Sequence, residues 1–310
     1  MSAPGRPAAD LRRGGAAAPE VSVVIPDLDS PFAGATLAAL AAQGVPSPEV
    51  EVVVVGRDAP GQVPREGGVR FLATPERLNP AAARNRGVAA ARGRLLLFTD
   101  ADCRPAPRWV ERLRAALAAS PVAGGAVTFP RAAHGAARWA LADNIASFHE
   151  LLPDRPAAPD SRGPLGSLNL GVRRAAWERV GPFDEALATS EDHDWVLRAR
   201  AAGLATAFVP DALVEHAAVR GSRRELELHA AWYGRHFHDF LARHPGVFGA
   251  GPTWRHRRLL AASAPLKAWT GAARIFLRHP ALLPCWRALP GVAAFRRAWY
   301  RAVLAAWPAG

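Results

Sequence analysis

Two short acidic segments hold the residue types that metal binding and proton transfer require. Asp100 and Asp102 flank an alanine directly after the apolar run LLLFT, and the segment SEDHDW follows about ninety residues later. Paired carboxylates supply the hard oxygen ligands that Mg²⁺ or Mn²⁺ takes when the ion also bridges a diphosphate. Because Asp-x-Asp sequences also occur in solvated turns, the pair alone leaves both interpretations open.

The SEDHDW segment places three carboxylates, those of Glu191, Asp192 and Asp194, within four positions. A helix N-terminus tolerates acidic residues because its free N–H groups and its dipole favour negative charge, and Ser190 is the expected cap. Crowded carboxylates also raise one another's pKa, which suits a general base that accepts a hydroxyl proton near neutral pH. A capped helix start explains one or two of these acids better than three, so the segment is also a candidate base site.

His216 is the third candidate, in the sequence VPDALVEHAAV. It follows the apolar stretch 205–209, which predicts a strand. A histidine there is either a structural side chain or a further ligand for a metal held by the two aspartates.

Continuous apolar runs predict the scaffold that positions these residues. The sequences VSVVIP at 21–26, EVVVV at 51–55 and LLLFT at 95–99 have strand length, and helical stretches separate them. Such runs are typical of a mostly parallel α/β sheet of Rossmann-like type with helices on both faces. Ligands of open α/β sheets bind beyond the carboxyl ends of the strands, where Asp100 lies.

Local signals predict the remaining elements. Asn79 and Pro80 have the residue types of an N-cap and a first helical position, which predicts a helix to about Ala91. We expect further helices at 36–42, 109–119, 136–150, 174–180 and from the acidic segment to about 202, and further strands at 122–129, 168–172 and 205–209.

Charge divides the chain of 310 residues into two parts. All 27 acidic residues lie at or before Asp239, so residues 1–239 carry a net charge of +1 and residues 240–310 carry +11. A basic, tryptophan-rich segment suits a negatively charged surface, either nucleic acid or anionic lipid. We therefore expect a disordered tail at 1–20, a catalytic domain at 21–225 and a basic, Trp/Arg-rich helical extension at 226–310.

Residues 292–307 of the extension predict an amphipathic helix. Its apolar stripe, with three- and four-residue spacing, consists of Val292, Phe295, Trp299, Val303 and Trp307. Tryptophan and arginine on such a helix fit an anionic membrane interface, and the same stripe fits packing on the catalytic domain. The two interpretations can coexist.

Composition also restricts the cellular setting. The two cysteines, Cys103 and Cys285, cannot form a disulfide framework, which favours a reducing compartment. The first twenty residues lack the apolar core of a signal peptide, and no run has the length of a spanning segment. We expect a cytoplasmic protein, peripheral on the inner face of the cytoplasmic membrane.

The segments in their order and spacing resemble a known family. They are VSVVIP, EVVVV, NPAAARNRGVAAARGRLLLFTDADCRP, SLNLGVRRAAWERVGPFDE and SEDHDWVLRARAAG, over about residues 20–220. The resemblance is to the bacterial family 2 glycosyltransferases of GT-A fold. It implies an inverting enzyme that moves a sugar from a nucleotide-diphosphate donor to an acceptor hydroxyl, in cell-envelope or other glycoconjugate synthesis. A lipid-linked acceptor would explain the basic extension.

The resemblance also implies roles for the metal and the donor. Asp100 and Asp102 would be the DXD pair that holds the ribose and a metal-bound diphosphate, with Asp102 as the direct ligand and His216 as a further one. Mg²⁺ or Mn²⁺ would neutralise the charge that grows on the departing diphosphate. The residues that would bind the donor are Pro26, Asp27, Asp29, Asp58, Arg84, Asn85 and Asp100.

On the acceptor side, the resemblance makes Asp192 the catalytic base. It would deprotonate the incoming hydroxyl on the face of the anomeric carbon opposite the diphosphate, through an oxocarbenium-like transition state. Glu191 and Asp194 would shape the acceptor site.

The sequence departs from the family pattern after the second strand. Gly56 stands where the family has an aspartate that contacts the nucleotide base, and Asp58 is a candidate substitute two residues on. The identity of the donor nucleotide therefore stays open, and an inactive transferase stays an alternative. The QxxRW motif of processive synthases is absent, which favours transfer of a single sugar.

Two other functions would account for part of the same residues. A sugar nucleotidyltransferase needs a glycine-rich, basic loop after the first strand, but residues 27–34 hold one glycine and no basic residue. A nucleic-acid-binding protein would use the basic extension, yet it would leave the acidic motifs without a role. We therefore expect no nucleic-acid partner.

Overall fold

The computed structural model describes residues 18–66, 68–131, 137–247, 254 and 256–308. The predicted disordered tail at 1–20 lies almost entirely outside these residues. Within the described residues, one sheet contains eight strands. They are β1 (Val21–Leu28), β2 (Val50–Arg57), β3 (Val69–Ala73), β4 (Leu95–Thr99), β5 (Cys103–Pro105), β6 (Val122–Thr128), β7 (Asn169–Arg173) and β8 (Thr206–His216).

The helices of the described ranges surround this sheet and continue beyond it. They are α1 (Ala33–Ala41), α2 (Pro80–Ala90), α3 (Trp109–Ala119), α4 (Ala137–Phe148), α5 (Arg174–Val180), α6 (Glu191–Ala201), α7 (Arg223–Arg243), α8 (Arg257–Arg278) and α9 (Leu289–Ala305), with 3₁₀ helices at His149–Leu151 and Pro280–Ala288. As expected, the Asn79 side chain caps α2 by accepting a hydrogen bond from the Ala82 N–H at 2.8 Å. Ser190 does not cap α6 through its side chain, and its backbone is left-handed with φ 63°.

The sheet has the order β3-β2-β1-β4-β7-β6-β8-β5. Strands β3, β2, β1 and β4 are parallel, whereas β7 runs antiparallel to both β4 and β6. The inner strands β1, β2 and β4 are buried along almost their whole length, because helices cover both faces. Since β1 and β4 are parallel neighbours, the residues that follow them meet at one edge of the sheet.

Strand β8 is longer than the sequence predicts, because it has two partners. It pairs in parallel orientation with β6, with a register shift at Gly125/Ala126. It also pairs in antiparallel orientation with β5. In the second ladder His216 lies opposite Cys103. The histidine that was expected after a strand is therefore its last residue, and the pairing brings it beside Asp102.

The C-terminal helices share a core with α4. Leu141 and Ile145 of α4 pack in one cluster with Ile275 of α8 and with Val292 and Phe295 of α9. The apolar stripe predicted at 292–307 therefore faces protein, as the packing interpretation expected. The boundary predicted at 225 falls inside α7.

None of the helices in the described parts of the chain is long and apolar enough to cross a membrane.

Candidate active site

A cavity of about 1070 Å³ lies where the end of β4 meets α6 and the C-terminal helices. Its lining includes Asp100, Asp102, His216, Glu191 and Asp192. The fold thus brings the two acidic segments and the late histidine, which are up to 116 residues apart in sequence, to one cavity.

Arg84 of α2 joins the two acidic segments. Its guanidinium donates to Glu191 Oε1 at 2.7 Å and to Asp100 Oδ1 at 2.6 Å, and its side chain is only 3% exposed. A buried arginine keeps its charge, and its planar fork can hold two carboxylates at once. Arg84 therefore fixes the start of α6 against the turn after β4.

This cluster contains more negative than positive charge. Burial and the neighbouring Asp192 raise the pKa of Glu191 to about 7, against the opposing effect of Arg84. Burial also raises the pKa of Asp100, although Arg84 lowers it. One guanidinium cannot offset all the carboxylates of the two segments, so the site favours an additional cation or a proton.

The Asp192 carboxylate is held as an acceptor. Its Oδ2 accepts from the Ser167 N–H at 2.9 Å and from the Ser167 hydroxyl at 3.2 Å, and its Oδ1 accepts from the His193 N–H at 2.8 Å. Burial would raise the pKa of Asp192, but His193, the Ser167 N–H and Arg84 outweigh this effect and lower it. The expected rise in pKa from crowding thus falls on Glu191, and Asp192 is ionised at neutral pH.

Asp102 and His216 form the second polar pair of the cavity. The His216 Nε2 lies 3.5 Å from Asp102 Oδ2, and its Nδ1 lies 2.9 Å from the Ala217 carbonyl oxygen. The Asp102 side chain is 29% exposed, so an oxygen is accessible from the cavity. Asp100 is directed to Arg84 instead, and the described residues contain no group of three or more acidic, histidine or cysteine side chains placed to hold a metal by themselves. A metal here would depend on Asp102, His216 and ligands from outside the protein.

The four residues assigned to the donor at the ends of β1 and β2 do not line this cavity; they are Pro26, Asp27, Asp29 and Asp58. Asp29 Oδ1 accepts from the Ala59 N–H at 2.8 Å, and Asp27 is buried with Oδ1 accepting from the Ser30 N–H at 2.9 Å. The Asp27 Oδ2 has no hydrogen-bond partner, and burial raises the pKa of this carboxyl to about 6. Pro26 precedes them in β1, paired with Val55.

Asp58, the candidate substitute for the aspartate missing at Gly56, is held by the loop after β2. Its two carboxylate oxygens accept from the Gln62 N–H at 2.6 Å and the Val63 N–H at 2.9 Å, so they stabilise the loop after β2. Gly56 itself has φ 135°, and a Cβ there would lie 1.9 Å from the Asp27 carbonyl oxygen. The backbone conformation and this close approach therefore require glycine at position 56.

Two further candidates have structural partners. Asp194 is 3% exposed and accepts from Arg198 Nε at 2.8 Å, while its other oxygen lies 2.9 Å from His244 Nε2. Asn85 exchanges two hydrogen bonds of 3.0 Å with the backbone of Phe183. Neither residue is part of the cavity lining. A role of Asp194 in shaping the acceptor site stays a prediction, and Asn85 positions the loop before α6.

The C-terminal helices supply a cavity wall that the motifs did not predict. Arg296 of α9 belongs to this wall, and its Nε is buried without a hydrogen-bond partner. The aromatic members of the wall are Trp232, Tyr233, Phe237, Phe240, Trp254, Phe295, Trp299 and Tyr300. The tryptophan and arginine content of the extension was the available signal, but the sequence could not show which side chains face the catalytic residues.

The fold is that of the GT-A glycosyltransferases. The chain superposes on the mannosyltransferase PcManGT from Pyrobaculum calidifontis in complex with GDP-Man and Mn²⁺ with a TM-score of 0.56, covering 91% of this chain and 86% of that one at 20% identity. In sequence, residues 22–180 match the family described as Glycosyl transferase family 2, and the chain belongs to this family.

Curated relatives match part of the chain. Glycosyltransferase AglE of Haloferax volcanii is 32% identical over 154 residues, which are 48% of either protein. The pre-mycofactocin glycosyltransferase of Mycobacterium tuberculosis is 32% identical over 181 residues, 57% of this chain and 38% of that protein. The chain thus spans about half or less of the length of these relatives.

Proposed function

We propose that this chain transfers a single sugar from a nucleotide-diphosphate sugar to an acceptor hydroxyl, with inversion at the anomeric carbon. The observation that carries the proposal is that Asp102 and Asp192 line one cavity, with Arg84 joining their segments. Asp102 is suited to the donor diphosphate and Asp192 to the acceptor hydroxyl. Family membership and the glycosyltransferase relatives support the same reaction class.

The donor side fits a divalent metal, Mg²⁺ or Mn²⁺. Asp102 offers an accessible carboxylate oxygen beside the His216 imidazole, and the surrounding carboxylates outnumber Arg84. Asp102 and His216 would hold the ion, whose charge stabilises the departing diphosphate. Asp100 and Arg84 then orient the donor, because their mutual hydrogen bond fixes both side chains at the end of β4.

On the acceptor side, Asp192 acts as the general base. Its lowered pKa keeps it ionised, and its hydrogen bonds to Ser167 and His193 fix the direction of its oxygens. The acceptor hydroxyl gives its proton to this carboxylate as the bond to the anomeric carbon forms. Glu191 is a positioning residue, since it acts through Arg84.

The cavity wall indicates the kind of acceptor. Aromatic side chains from α7 and α9 offer apolar contact, and Arg296 brings a cation to the same wall. An acceptor with an apolar part and a phosphate, such as a lipid-linked glycoconjugate precursor of the cell envelope, would use both features. Such an acceptor would place the chain at the cytoplasmic face of the membrane.

Nucleotide binding and turnover test the proposal separately. Calorimetry with UDP, GDP, dTDP and CDP, with and without Mn²⁺, identifies the donor class, and release of the nucleoside diphosphate from the matching nucleotide sugar measures turnover. We expect Asp192→Asn to bind the nucleotide as the unchanged chain does and to lose about 10²-fold or more in turnover. Asp102→Ala is the matched variant and should lose the Mn²⁺-dependent part of binding. Near-normal turnover by Asp192→Asn would remove this residue from the mechanism.

A further inference from the structure

Helix α8 leaves a row of large apolar side chains in contact with solvent. Leu266 is 68% exposed, Leu277 is 78% exposed and Trp269 is 45% exposed. In the 3₁₀ helix that follows, Leu283 and Trp286 are 52% and 62% exposed. Six of the ten large hydrophobic side chains that are exposed in the described part of the chain lie on these two adjoining helices, with Leu259 as the sixth.

Helical spacing places these side chains together. Leu259, Leu266 and Leu277 are separated by seven and eleven residues, which are close to two and three turns, so they project from one side of α8. The opposite side packs on protein through a row spaced by four residues, which consists of Leu260, Ala264, Ala268 and Ala272. The distance from Leu259 to Leu277 along the helix is about 27 Å. We name the side with Leu259, Leu266, Trp269 and Leu277, together with Leu283 and Trp286, the exposed apolar face.

Basic residues accompany this face without acidic partners. They are Arg258, Lys267, Arg274, Arg278 and Arg287, and none of them forms an ion pair with another described residue. Residues 240–310 contain no aspartate or glutamate at all. Some exposed arginines of the catalytic domain differ in this respect, since Arg86 and Arg108 are each paired with a glutamate.

We propose that the exposed apolar face docks on an anionic lipid bilayer, with its leucine and tryptophan side chains in the interface and its cations against the lipid phosphates. Leucine and tryptophan flanked by unpaired cations is the composition of a helix that lies in the plane of a membrane. The proposal rests on the lipid-linked acceptor of the proposed function and names the surface that meets the lipid. It assigns this contact to α8 and the 3₁₀ helix, because the stripe of α9 is buried against α4 and α8.

Vesicle sedimentation tests the proposal with the full chain, using phosphatidylcholine vesicles with and without phosphatidylglycerol. We expect binding that needs phosphatidylglycerol. Lys267→Gln/Arg274→Gln should lower the partition coefficient about thirtyfold, or about 2 kcal/mol. Leu266→Ser/Leu277→Ser should lower it by at least about tenfold, because the removed side chains enter the interface. Both pairs are on the surface, and circular dichroism checks that the variants fold.

A matched control distinguishes the contribution of this face to vesicle binding from the contribution of the overall net charge. Arg86→Gln/Arg108→Gln removes two positive charges, as the α8 variant does, but from the catalytic domain. It should leave vesicle binding unchanged. The docking proposal is wrong if this control loses as much binding as the α8 charge variant, or if the leucine variant binds as the unchanged chain does. It is also wrong if polyuridylate RNA binds more tightly than the vesicles and only the α8 charge variant weakens that binding.

The assay also distinguishes this proposal from the proposed function. Vesicle binding requires neither donor nor acceptor, so a chain that binds vesicles but turns over no nucleotide sugar would overturn the catalytic proposal alone. A chain that turns over its donor and does not bind vesicles would overturn the docking proposal alone.

Discussion

Arg84→Met is the substitution whose effect the active-site geometry defines most sharply. Methionine replaces the aliphatic part of the arginine side chain and removes the guanidinium, so Asp100 and Glu191 lose their shared partner. Breaking a buried ion pair by removing one member costs about 3–5 kcal/mol, because the remaining charge is left buried and unpaired. We expect a loss of about 4 kcal/mol in the free energy of unfolding at about pH 8.

This loss in the free energy of unfolding should depend on pH, and the protonation of Glu191 determines whether it grows or shrinks as pH rises. The pKa of Glu191 is raised in the folded chain from 4.5 to about 7, so the folded state holds this proton more tightly than the unfolded state does. The destabilisation from ionised Glu191 is therefore absent below about pH 4.5, grows between about 4.5 and 7, and is complete above about 7. Arg84 offsets that destabilisation only where Glu191 is ionised. At about pH 5 Glu191 is protonated in both chains, so the loss should be smaller than at about pH 8 by about 1.4 kcal/mol, the free energy that one pH unit above the pKa of about 7 represents.

Urea unfolding followed by tryptophan fluorescence at the two pH values measures this difference. The control is Arg86→Met, two positions along α2, where the side chain is half exposed and paired with exposed Glu76. This variant should change the unfolding midpoint little at either pH, because solvent screens the pair. Equal losses for the two variants, or a loss for Arg84→Met that is the same at both pH values, would refute the role assigned to Arg84.

Two further predictions concern the turn where β1 and β2 end. Gly56→Ala should lower the free energy of unfolding by about 3 kcal/mol or more, because of its contact with the Asp27 carbonyl and its positive φ. Gly44→Ala, also at positive φ but with no atom within 4 Å, is the control and should cost about 1 kcal/mol in the same urea titration. Asp27→Asn tests the buried carboxyl, whose pKa is raised from 3.8 to about 6, so that the unchanged chain loses stability as pH rises through that range. The stability of Asp27→Asn relative to the unchanged chain should therefore rise by about 2.4 kcal/mol from about pH 4 to pH 8, and a pH-independent difference would contradict the burial effect.

The strands and helices with strong local signals were predicted closely. The strand Leu95–Thr99 and the helices Trp109–Ala119 and Arg174–Val180 have the predicted bounds, because each is an apolar or amphipathic run with clear ends. β3 and β5 were missed. β3 is a half-buried edge strand, and β5 has three residues that are a strand only because β8 lies beside them.

The candidate site residues also differ in how well the sequence located them. Asp100, Asp102, Asp192 and His216 were selected from residue type and spacing, and the structure brings them to one cavity. Asp58 was a candidate only through the family resemblance and Asp194 came from the acidic segment, yet the oxygens of both are used by neighbouring backbone and side-chain groups. Sequence spacing places a carboxylate on an element, but its hydrogen-bond partners depend on what packs against it.

The order of residues along the chain was sufficient to predict the α/β class, the two acidic motifs and the separation of charge between the two parts of the chain. These features depend on the residue itself and its near neighbours, which the chain order fixes. Three features depend on tertiary packing: Arg84 joins Glu191 to Asp100, β8 extends to place His216 beside Asp102, and the apolar stripe of α9 faces protein while that of α8 is exposed. Each of these involves groups far apart in sequence, whose meeting depends on packing and burial across the whole fold.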